Sequence, residues 1–566
     1  MTETTERTAP RLLLDQRVTM RDGVELSADV YLPPTGDGPW PAILQRTPYD
    51  NTGALWVNIA IHFAQHGYAF VSQDVRGRCD SDGEWEPFVN EGPDGHDTIE
   101  WIAEQDWCDS KVGMMGGSYG GYVQWMAARE QPPHLTALVS TAAAGRWMQE
   151  LPYINGTFAA YWMFWLNLVG GRTLQQPIHG SVASPDWPRI FTHKPLRETD
   201  IALGRTNTVW RTWLEHNTFD DYWRQLSLTG HFDKIDLPVL HITGWFDGDQ
   251  WGELFYWHGM LDDSPAADRQ WLVSGPWDHA GTRTPKQHLG GRDFTTAALT
   301  DMNAIHLRFF DRWLKGIENG QESDARVRTF AMGDNEWREG DSWPPAGTVE
   351  TPFYLHSGGA ANTLAGNGTI SRTAPNGDEP ADSYVYNPDN PTPSVQDISA
   401  LPFGDVPFDN RWKLRRDDVL VYTSEPLVAD LEITGHPFVV LHAESDCPDT
   451  DWYVALCDVH PDGRSERLTS GGLRAAYREG LDAQPTAIEP GRVYEYRIEL
   501  MATSNVWKAG HRLRVTVASA NWPGSARNPN TNAPTGDDDE IRIATNTVHH
   551  TRAYPSRLLA PVVAKG

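Results

Sequence analysis

Cysteine is scarce in this sequence. Its 566 residues include four cysteines, Cys79, Cys108, Cys447 and Cys457, and their spacing matches no metal-binding pattern. Four thiols are too few to hold a chain of this length in a disulfide framework. We therefore expect buried or inert thiols, and neither a metal site nor a cofactor is implied.

Long hydrophobic runs are also missing. Hydrophobic residues make up 39% of the chain, and no apolar run approaches the roughly 20 residues that a membrane-spanning helix needs. The first residues are acidic and polar, and Leu12-Leu13-Leu14 is too short for the core of a signal peptide. We expect a soluble, cytoplasmic protein with no membrane partner.

Positive charge is in deficit. The chain has 47 Lys and Arg against 76 Asp and Glu, which gives a formal net charge of −29. Phosphate would be repelled by such a protein, and this argues against nucleic acid as a partner. The negative net charge has two explanations. The acidic residues either keep the surface solvated or steer cationic substrates towards the protein. The 25 tryptophans suggest aromatic-lined pockets as well as cores.

Length and pattern divide the chain into domains, because 566 residues exceed a single hydrophobic core. Strands and helices alternate over residues 1–145 and 236–347, which predicts a parallel α/β core in two parts. Residues 146–235 are rich in aromatics without obvious strands and predict a helical insertion. Short alternating strands over residues 348–566 predict a C-terminal β-sandwich.

Some local elements can be placed within the core. Val18–Tyr31 alternates around a central Asp-Gly pair and predicts a β-hairpin. Helices are predicted from Gly95 to Gln105 and from about Leu299 to Leu314, where Ile305, Phe309 and Trp313 have helical spacing.

The most informative stretch is a Gly-x-Ser-x-Gly pattern around Ser118. A short apolar strand runs directly into Gly116-Gly117-Ser118-Tyr119-Gly120, and a helix is predicted to follow. In this context the pattern is typical of a nucleophile elbow, a tight turn that projects the serine hydroxyl from the sheet. An ordinary glycine-rich strand–helix turn is the alternative.

Two later strand ends supply partners for this serine. A serine hydroxyl needs a base to take its proton, and the base needs an orienting carboxylate. In the run Val239–Gly248, Asp247 lies just beyond a predicted strand, and His279 lies just beyond the next, in the run Trp271–His279. The order serine, acid, histidine is that of α/β-hydrolases. We therefore expect Ser118 as nucleophile, His279 as general base and acid, and Asp247 as its orienting acid.

An oxyanion needs hydrogen-bond donors. The backbone N–H of Tyr119, next after the nucleophile, is the expected first donor. The loop after an early strand contains Tyr49, whose hydroxyl could be the second donor, since no HGGG-type run is present. From the sequence alone, a packed tyrosine beside a proline turn is the preferred explanation of Tyr49.

The combined motifs resemble the serine hydrolases typified by bacterial cocaine esterase, over essentially the whole chain. This superfamily also holds X-prolyl dipeptidyl aminopeptidases, α-amino-acid ester hydrolases and glutaryl-cephalosporin acylases. The residues that carry the resemblance are Arg46-Thr47-Pro48-Tyr49-Asp50, Gln73-Asp74-Val75-Arg76-Gly77, Gly116–Gly121, Asp247-Gly248, Gly275-Pro276-Trp277-Asp278-His279, Ser445–Trp452 and Val459–Gly463.

The resemblance implies an α/β-hydrolase core with an inserted helical cap domain and a C-terminal jelly-roll β-sandwich. It implies the triad of Ser118, His279 and Asp247, and an oxyanion hole from the Tyr49 hydroxyl and the Tyr119 N–H. The implied substrate is a small-molecule ester or amide, bound without cofactor or metal. Oligomeric state stays open, a homo-oligomer included.

The acyl pocket implied by the resemblance would lie between core and cap. Trp147, Trp162 and Trp165 are candidates for its wall, although aromatics at this helical spacing could equally form the core of the cap.

One position departs from the family pattern. Cocaine esterase has an aromatic residue two positions after the catalytic acid, where this chain has Asp249. α-Amino-acid ester hydrolases carry a carboxylate there, within an acidic cluster that grips the substrate ammonium. Glu150 lies near another position of that cluster, whereas Gln250 stands where a further acid is expected. Asp249 is therefore either part of an amine site or a solvated or helix-capping residue.

These observations predict a serine hydrolase that cleaves carboxylic esters through an acyl-enzyme. Cleavage of amides by the same mechanism is an additional option. One alternative is an α-amino-acid ester hydrolase or X-Pro dipeptidyl aminopeptidase that recognises a substrate amine through Asp249 and Glu150. A second alternative is a carbohydrate- or polymer-binding protein that uses its β-domain. The aromatic residues that motivate this second alternative are Trp412, Trp452, Trp507 and Trp522.

Overall fold

A computed structural model describes residues 9–160, 162–174, 186–396 and 407–564. Its α-helices are α1 (Ala54–Gln65), α2 (Glu91–Ala103), α3 (Tyr119–Arg129), α4 (Trp162–Leu168), α5 (Trp187–Phe191), α6 (Thr199–Ala202), α7 (Thr208–Glu215), α8 (Asp221–Arg224), α9 (Gln250–Asp263) and α10 (Met302–Trp313). Within these described ranges, no helix combines the length and the apolar character needed to cross a membrane.

A large mixed sheet forms the core of the first part of the chain. Its order is β1-β2-β4-β3-β5-β6-β9-β10-β13-β14. The strands are β1 (Arg11–Thr19), β2 (Glu25–Leu32), β3 (Trp40–Thr47), β4 (Ala69–Asp74), β5 (Cys108–Gly117), β6 (Leu135–Thr141), β9 (Val239–Phe246), β10 (Gln270–Asp278), β13 (Val327–Ala331) and β14 (Glu336–Gly340). Strands β3 to β6, β9, β10 and β13 pair in parallel, and antiparallel strands flank them.

Helices cover both faces of this sheet, as a parallel sheet requires. Successive strand residues point to opposite faces, so Ile43 of β3 packs with α1 and α10, whereas Leu44 packs with α2 and α3. The parallel strands are therefore buried on both sides. Their carboxyl ends lie at one edge of the sheet, where ligand sites of this sheet type are found.

The local predictions for the core are confirmed with shifted boundaries. Strands β1 and β2 form an antiparallel pair, with Val18 opposite Leu26. Helix α2 begins at Glu91, four residues before the predicted start at Gly95. Gly92 and Pro93 disfavour a helix in a sequence-based prediction, so the predicted start lies after them. Proline is nevertheless tolerated in the first turn of a helix.

The segment between β6 and β9 carries short helices packed through aromatic side chains. It also contains a two-stranded ribbon, β7 (Tyr153–Ile154) with β8 (Thr157–Phe158), which the sequence did not predict. Stacked and edge-on rings join α4, α7 and α8, for example Trp162 against Trp213 with ring centroids 5.6 Å apart. The core then resumes with β9. A further short ribbon, β11 (His288–Leu289) with β12 (Arg292–Asp293), follows β10.

The C-terminal part of the chain is a β-sandwich. Its strands are β15 (Thr348–His356), β16 (Thr369–Ser371), β17 (Asp382–Tyr386), β18 (Leu420–Thr423), β19 (Leu431–Gly435), β20 (Phe438–Ser445), β21 (Asp451–Val459), β22 (Ser465–Arg474), β23 (Tyr494–Glu499), β24 (Thr503–Trp507), β25 (Arg512–Ala518), β26 (Ala544–His549) and β27 (Arg557–Val563). The predicted fold class, an α/β core with a helical insertion and a C-terminal β-sandwich, is confirmed.

The aromatic residues behind the carbohydrate-binding hypothesis are mainly packing residues. Trp452 and Trp507 are fully buried in the core of the sandwich. Trp522 is partly buried and packs against the hydrophobic core that the sheet shares with the insertion. Because a glycan platform needs exposed rings, these side chains give the hypothesis no support.

Candidate active site

Ser118 lies on a strained turn between β5 and α3. Its backbone has φ 63° and ψ −124°, a conformation that non-glycine residues rarely adopt and that persists only where surrounding contacts enforce it. The Ser118 N–H donates to the carbonyl oxygens of Thr141 and Ala142, both at 3.0 Å. A Cβ on Gly116 would lie 2.7 Å from the Gly120 carbonyl oxygen. The turn therefore needs the glycine before it and projects the serine side chain from the sheet.

His279 and Asp247 meet beyond two neighbouring strands. The Nδ1 of His279 lies 2.7 Å from Oδ1 of Asp247, which is fully buried. Because an ionised carboxylate only accepts hydrogen bonds, Nδ1 donates, and Nε2 is left as the nitrogen that can accept a proton. The Asp249 backbone N–H also donates to Asp247 Oδ1, at 3.1 Å. Asp247 thus fixes the tautomer of the imidazole.

The hydroxyl of Ser118 has a different partner from the one expected. It donates to Oδ2 of Asp249 at 3.4 Å, and the hydrogen bonds of the described residues include none between Ser118 and the ring of His279. Ser118 and His279 nevertheless line the same cavity. His279 Nδ1 lies 3.9 Å from the same Asp249 oxygen. The triad residues are brought together, with the hydroxyl turned towards Asp249.

Tyr49 faces this cavity with a hydroxyl that can donate. Its oxygen accepts a hydrogen bond from Trp165 Nε1 at 2.9 Å, so its own O–H proton is free for another acceptor. Burial raises the pKa of Tyr49 to about 12, which keeps the phenol protonated at neutral pH. The buried guanidinium of Arg78 donates to the carbonyl oxygen of Pro48 at 2.9 Å and thereby fixes the loop.

Tyr119 begins helix α3, and the first N–H groups of a helix have no acceptor within that helix. Its phenol hydroxyl is fixed by two hydrogen bonds. The hydroxyl donates to Oε1 of Glu91 at 2.6 Å and accepts from the N–H of Phe88 at 2.8 Å. Glu91 in turn pairs with the buried Arg46 at 2.9 Å. These contacts fix the residue whose N–H was predicted to be the first oxyanion donor.

Asp249 and Glu150 place two further carboxyl groups at the cavity. Asp249 precedes α9, but its side chain makes no capping hydrogen bond, so a capping role does not explain it. Burial raises its pKa to about 8, opposed by the nearby His279 and reinforced by Glu150.

Glu150 is held by the backbone of the segment that precedes it. Its Oε2 accepts from the N–H groups of Gly145 and Arg146 at 3.1 and 2.9 Å. Its Oε1 is buried and has no hydrogen-bond partner among the described residues. Burial raises the pKa of this carboxyl to about 8. A residue that lines the cavity therefore has a carboxyl oxygen with no partner among the described residues.

The cavity has a volume of about 520 Å³ and an aromatic wall. Trp162 and Trp165 line it, as expected, together with Phe88. Trp147 does not line it, and the expectation for this residue is wrong. Its ring stacks on Trp223 with centroids 5.1 Å apart, and its Nε1 donates to a backbone carbonyl at 2.8 Å. Trp147 is a packing residue of the insertion.

Two sets of lining residues were missed by the sequence reading. The β-sandwich contributes Tyr453 and Met501 to the cavity wall, and their approach depends on tertiary packing that no local pattern reveals. Arg283, four residues after His279, adds a guanidinium to the cavity. Its position four residues after the predicted histidine could have indicated from the sequence that Arg283 lies near the site.

Family models and a curated relative match this chain over most of its length. Residues 22–281 match the model of the X-Pro dipeptidyl-peptidase (S15) family, and residues 319–559 match that of the X-Pro dipeptidyl-peptidase C-terminal non-catalytic domain. Cocaine esterase of Rhodococcus sp. (strain MB1 Bresler) is 36% identical over 97% of this chain and 98% of its own length.

Solved structures match over nearly the whole chain. An aminopeptidase from the marine sediment archaeon Thaumarchaeota archaeon has a TM-score of 0.88 and 26% identity, with 100% of this chain and 98% of that chain covered. An α-amino acid ester hydrolase has a TM-score of 0.85 and 24% identity, covering 99% and 98% of the two chains. The second likeness concerns the fold.

The raised pKa of Asp249 predicts a pH-dependent gain in stability when this carboxyl is neutralised. The pKa of Asp249 is about 8 in the folded protein and about 4 in the unfolded chain. Between these pH values the folded protein therefore binds more protons than the unfolded chain. Ionising Asp249 therefore costs stability as pH rises from about 4 to about 8. We expect Asp249→Asn to raise Tm by about 1–3 °C more at pH 8.5 than at pH 5, measured by scanning calorimetry.

The matched control for this experiment is Asp263→Asn, which removes an exposed carboxylate from the same helix. We expect it to show no such pH trend. A Tm difference for Asp249→Asn that is the same at both pH values would contradict the burial of an ionisable carboxyl beside Ser118.

Proposed function

The chain belongs to the cocaine esterase family of serine hydrolases, and from this premise we propose that it cleaves carboxylic esters with the triad Ser118, His279 and Asp247 through an acyl-enzyme. The family membership makes it a serine ester hydrolase. The observation that carries the assignment of residues is the 2.7 Å contact of His279 with the buried Asp247, in the cavity that also holds the strained Ser118.

Acylation begins when Ser118 exchanges its contact with Asp249 for one with His279. A rotation about its Cα–Cβ bond is the change that this requires. Nε2 of His279 then takes the hydroxyl proton as Oγ forms a bond to the acyl carbon. Asp247 remains ionised and stabilises the imidazolium. The former carbonyl oxygen becomes an oxyanion that accepts hydrogen bonds from the Tyr49 hydroxyl and the Tyr119 N–H.

The intermediate collapses when the imidazolium of His279 gives its proton to the leaving alcohol and the ester C–O bond breaks. A water molecule then attacks the acyl-enzyme, with His279 again taking the proton. The Ser118 oxygen leaves as the hydroxyl, reprotonated by the same ring. Each turnover consumes one water and releases one acid and one alcohol.

Ser118→Ala is expected to abolish hydrolysis of a p-nitrophenyl ester and covalent labelling by a fluorophosphonate, because both require the serine oxygen. The measurements are p-nitrophenolate release and intact-protein mass. Ser394→Ala is the matched control, since Ser394 also lines the cavity but is not part of the triad. A Ser118→Ala protein that still labels would show that the nucleophile is a different residue.

Tyr49→Phe is expected to lower kcat because one oxyanion donor is lost. The activation free energy should rise by on the order of 3 kcal/mol, by analogy with removal of other single oxyanion donors. KM should change little, because the hydroxyl is proposed to act in the transition state. Trp162→Phe, at another aromatic of the same wall, is the control for packing changes. A kcat within twofold of wild type in Tyr49→Phe would remove Tyr49 from the oxyanion hole.

A second candidate function is the cleavage of substrates that carry a free amine, as in α-amino-acid esters or X-Pro peptides. Two observations favour it. Asp249 and Glu150 line the cavity, and Oε1 of Glu150 is buried without a partner among the described residues. A substrate ammonium would satisfy this oxygen and offset the cost of ionising both carboxyl groups.

An ammonium bound at Asp249 would also act on the nucleophile. Asp249 accepts the Ser118 hydroxyl in the free protein, and a bound ammonium would occupy the same carboxylate. Because the hydroxyl would then lose its present acceptor, it would be released towards His279. Substrate binding and activation of the serine would be linked in this way.

Asp249→Asn is expected to raise KM at least tenfold for alanine p-nitrophenyl ester, whereas p-nitrophenyl propionate should be affected less than twofold. The two substrates differ only in the amine, and the substitution removes the charge but keeps the shape. Steady-state kinetics at pH 8 measure both effects. Equal effects on the two substrates would eliminate amine recognition by Asp249 and leave the ester hydrolase assignment intact.

A further inference from the structure

Arg283 places an unpaired cation in the catalytic cavity. Its Nη2 donates to the carbonyl oxygen of His279 at 2.8 Å. Across the parts of the chain that the structure describes, the guanidinium makes no other hydrogen bond and no ion pair. A guanidinium has five N–H donors, and most of those of Arg283 are therefore left for a partner from the cavity.

The position of the guanidinium is fixed on two sides. The His279 carbonyl holds Nη2, and Nη1 lies against the backbone of Gly117, where a Cβ would be only 2.3 Å away. Gly117 immediately precedes Ser118. The cation thus lies between the backbone of the nucleophile and the loop of the histidine, and the absence of a side chain at Gly117 makes room for it.

This part of the cavity is where a leaving group departs. In the proposed mechanism His279 gives its proton to the leaving oxygen or nitrogen, so the leaving group lies beside the His279 loop. Arg283 belongs to this loop. A group that binds Arg283 would therefore be carried by the alcohol or amine that is released.

The guanidinium of Arg283 has no contacting counter-ion among the described residues, although carboxylates lie farther away. Burial lowers the pKa of the guanidinium, and the carboxylates of Asp247 and Asp249 oppose this shift from a distance. A guanidinium remains charged in proteins under these conditions. A partly buried cation without a contacting counter-ion is costly, and a carboxylate offers the planar, bidentate acceptor that this group binds best.

We propose that Arg283 binds a carboxylate on the leaving group, so that the preferred substrates are esters or amides whose released alcohol or amine is itself an acid, such as a hydroxy acid or an amino acid. The proposal rests on the proposed function, since it uses His279 as the general acid. The ester C–O bond breaks, the acyl group passes to Ser118, and the leaving alcohol receives the proton from His279 and departs with its carboxylate ionised.

A matched pair of substrates tests this proposal. Phenyl acetate and the 3- and 4-acetoxybenzoates have the same neutral acyl group and differ in the carboxylate on the leaving phenol. We expect Arg283→Gln to lower the ratio of kcat/KM for the acetoxybenzoates over phenyl acetate about tenfold or more. Arg283→Lys should retain part of the ratio, because it keeps the charge without the planar fork. Intrinsic reactivity differences cancel in this comparison between variants.

Arg467→Gln is the control variant, since Arg467 lines the cavity from the β-sandwich wall and should leave the ratio unchanged. A ratio unaffected by Arg283→Gln would overturn the proposal. So would an equal loss for all substrates, which would assign Arg283 to positioning His279, or an equal fall of the ratio in Arg467→Gln, which would indicate a general field effect.

A second measurement compares two competing compounds on the wild-type protein, and this comparison does not depend on how a variant folds. Benzoate should slow fluorophosphonate labelling at concentrations at which benzamide has no effect, and Arg283→Lys should weaken this protection. Equal protection by the two compounds would overturn the proposal. Failure of the proposed function itself would be distinct, because the wild-type protein would then neither label nor hydrolyse phenyl acetate.

Discussion

The hydrogen bond between His279 and the buried Asp247 is the interaction on which the site depends. Its geometry follows from strand register, because β9 and β10 are parallel neighbours with Phe246 opposite Asp278. Asp247 follows the last residue of β9, and His279 follows the last residue of β10. Their side chains form a hydrogen bond of 2.7 Å. A carboxylate with no exposed surface is costly to bury unless hydrogen-bond donors contact it.

The sequence was sufficient to predict the groups that local patterns mark. Ser118, Asp247 and His279 each follow a strand whose apolar run is visible, and the order of parallel strands brings their ends together. The partner of the Ser118 hydroxyl could not be predicted, because it depends on a side-chain rotamer beside Asp249. Trp147 belongs to the same aromatic-rich stretch as Trp162 and Trp165, which line the cavity, and only packing against its neighbours decides which way such a ring faces.

Charge is concentrated where the chemistry is proposed. The cavity contains Asp249 and Glu150, whose pKa values burial raises to about 8, and the guanidinium of Arg283, which forms no ion pair with any described residue. Burial disfavours the charged form of each of these groups, and a ligand of opposite charge would offset that cost. Tyr453 of the β-sandwich contributes to the wall, so the C-terminal part shapes the cavity although the proposed triad lies outside that part.

The convergence of Ser118, His279 and the oxyanion donors is tested most directly by a crystal structure of the protein after reaction with a fluorophosphonate. The account predicts a phosphonyl group on Ser118, with one phosphonyl oxygen about 2.7–3.1 Å from both the Tyr49 hydroxyl and the Tyr119 N–H, and with the His279 ring facing the adduct. An adduct on another residue, or a phosphonyl oxygen remote from both donors, would contradict the account.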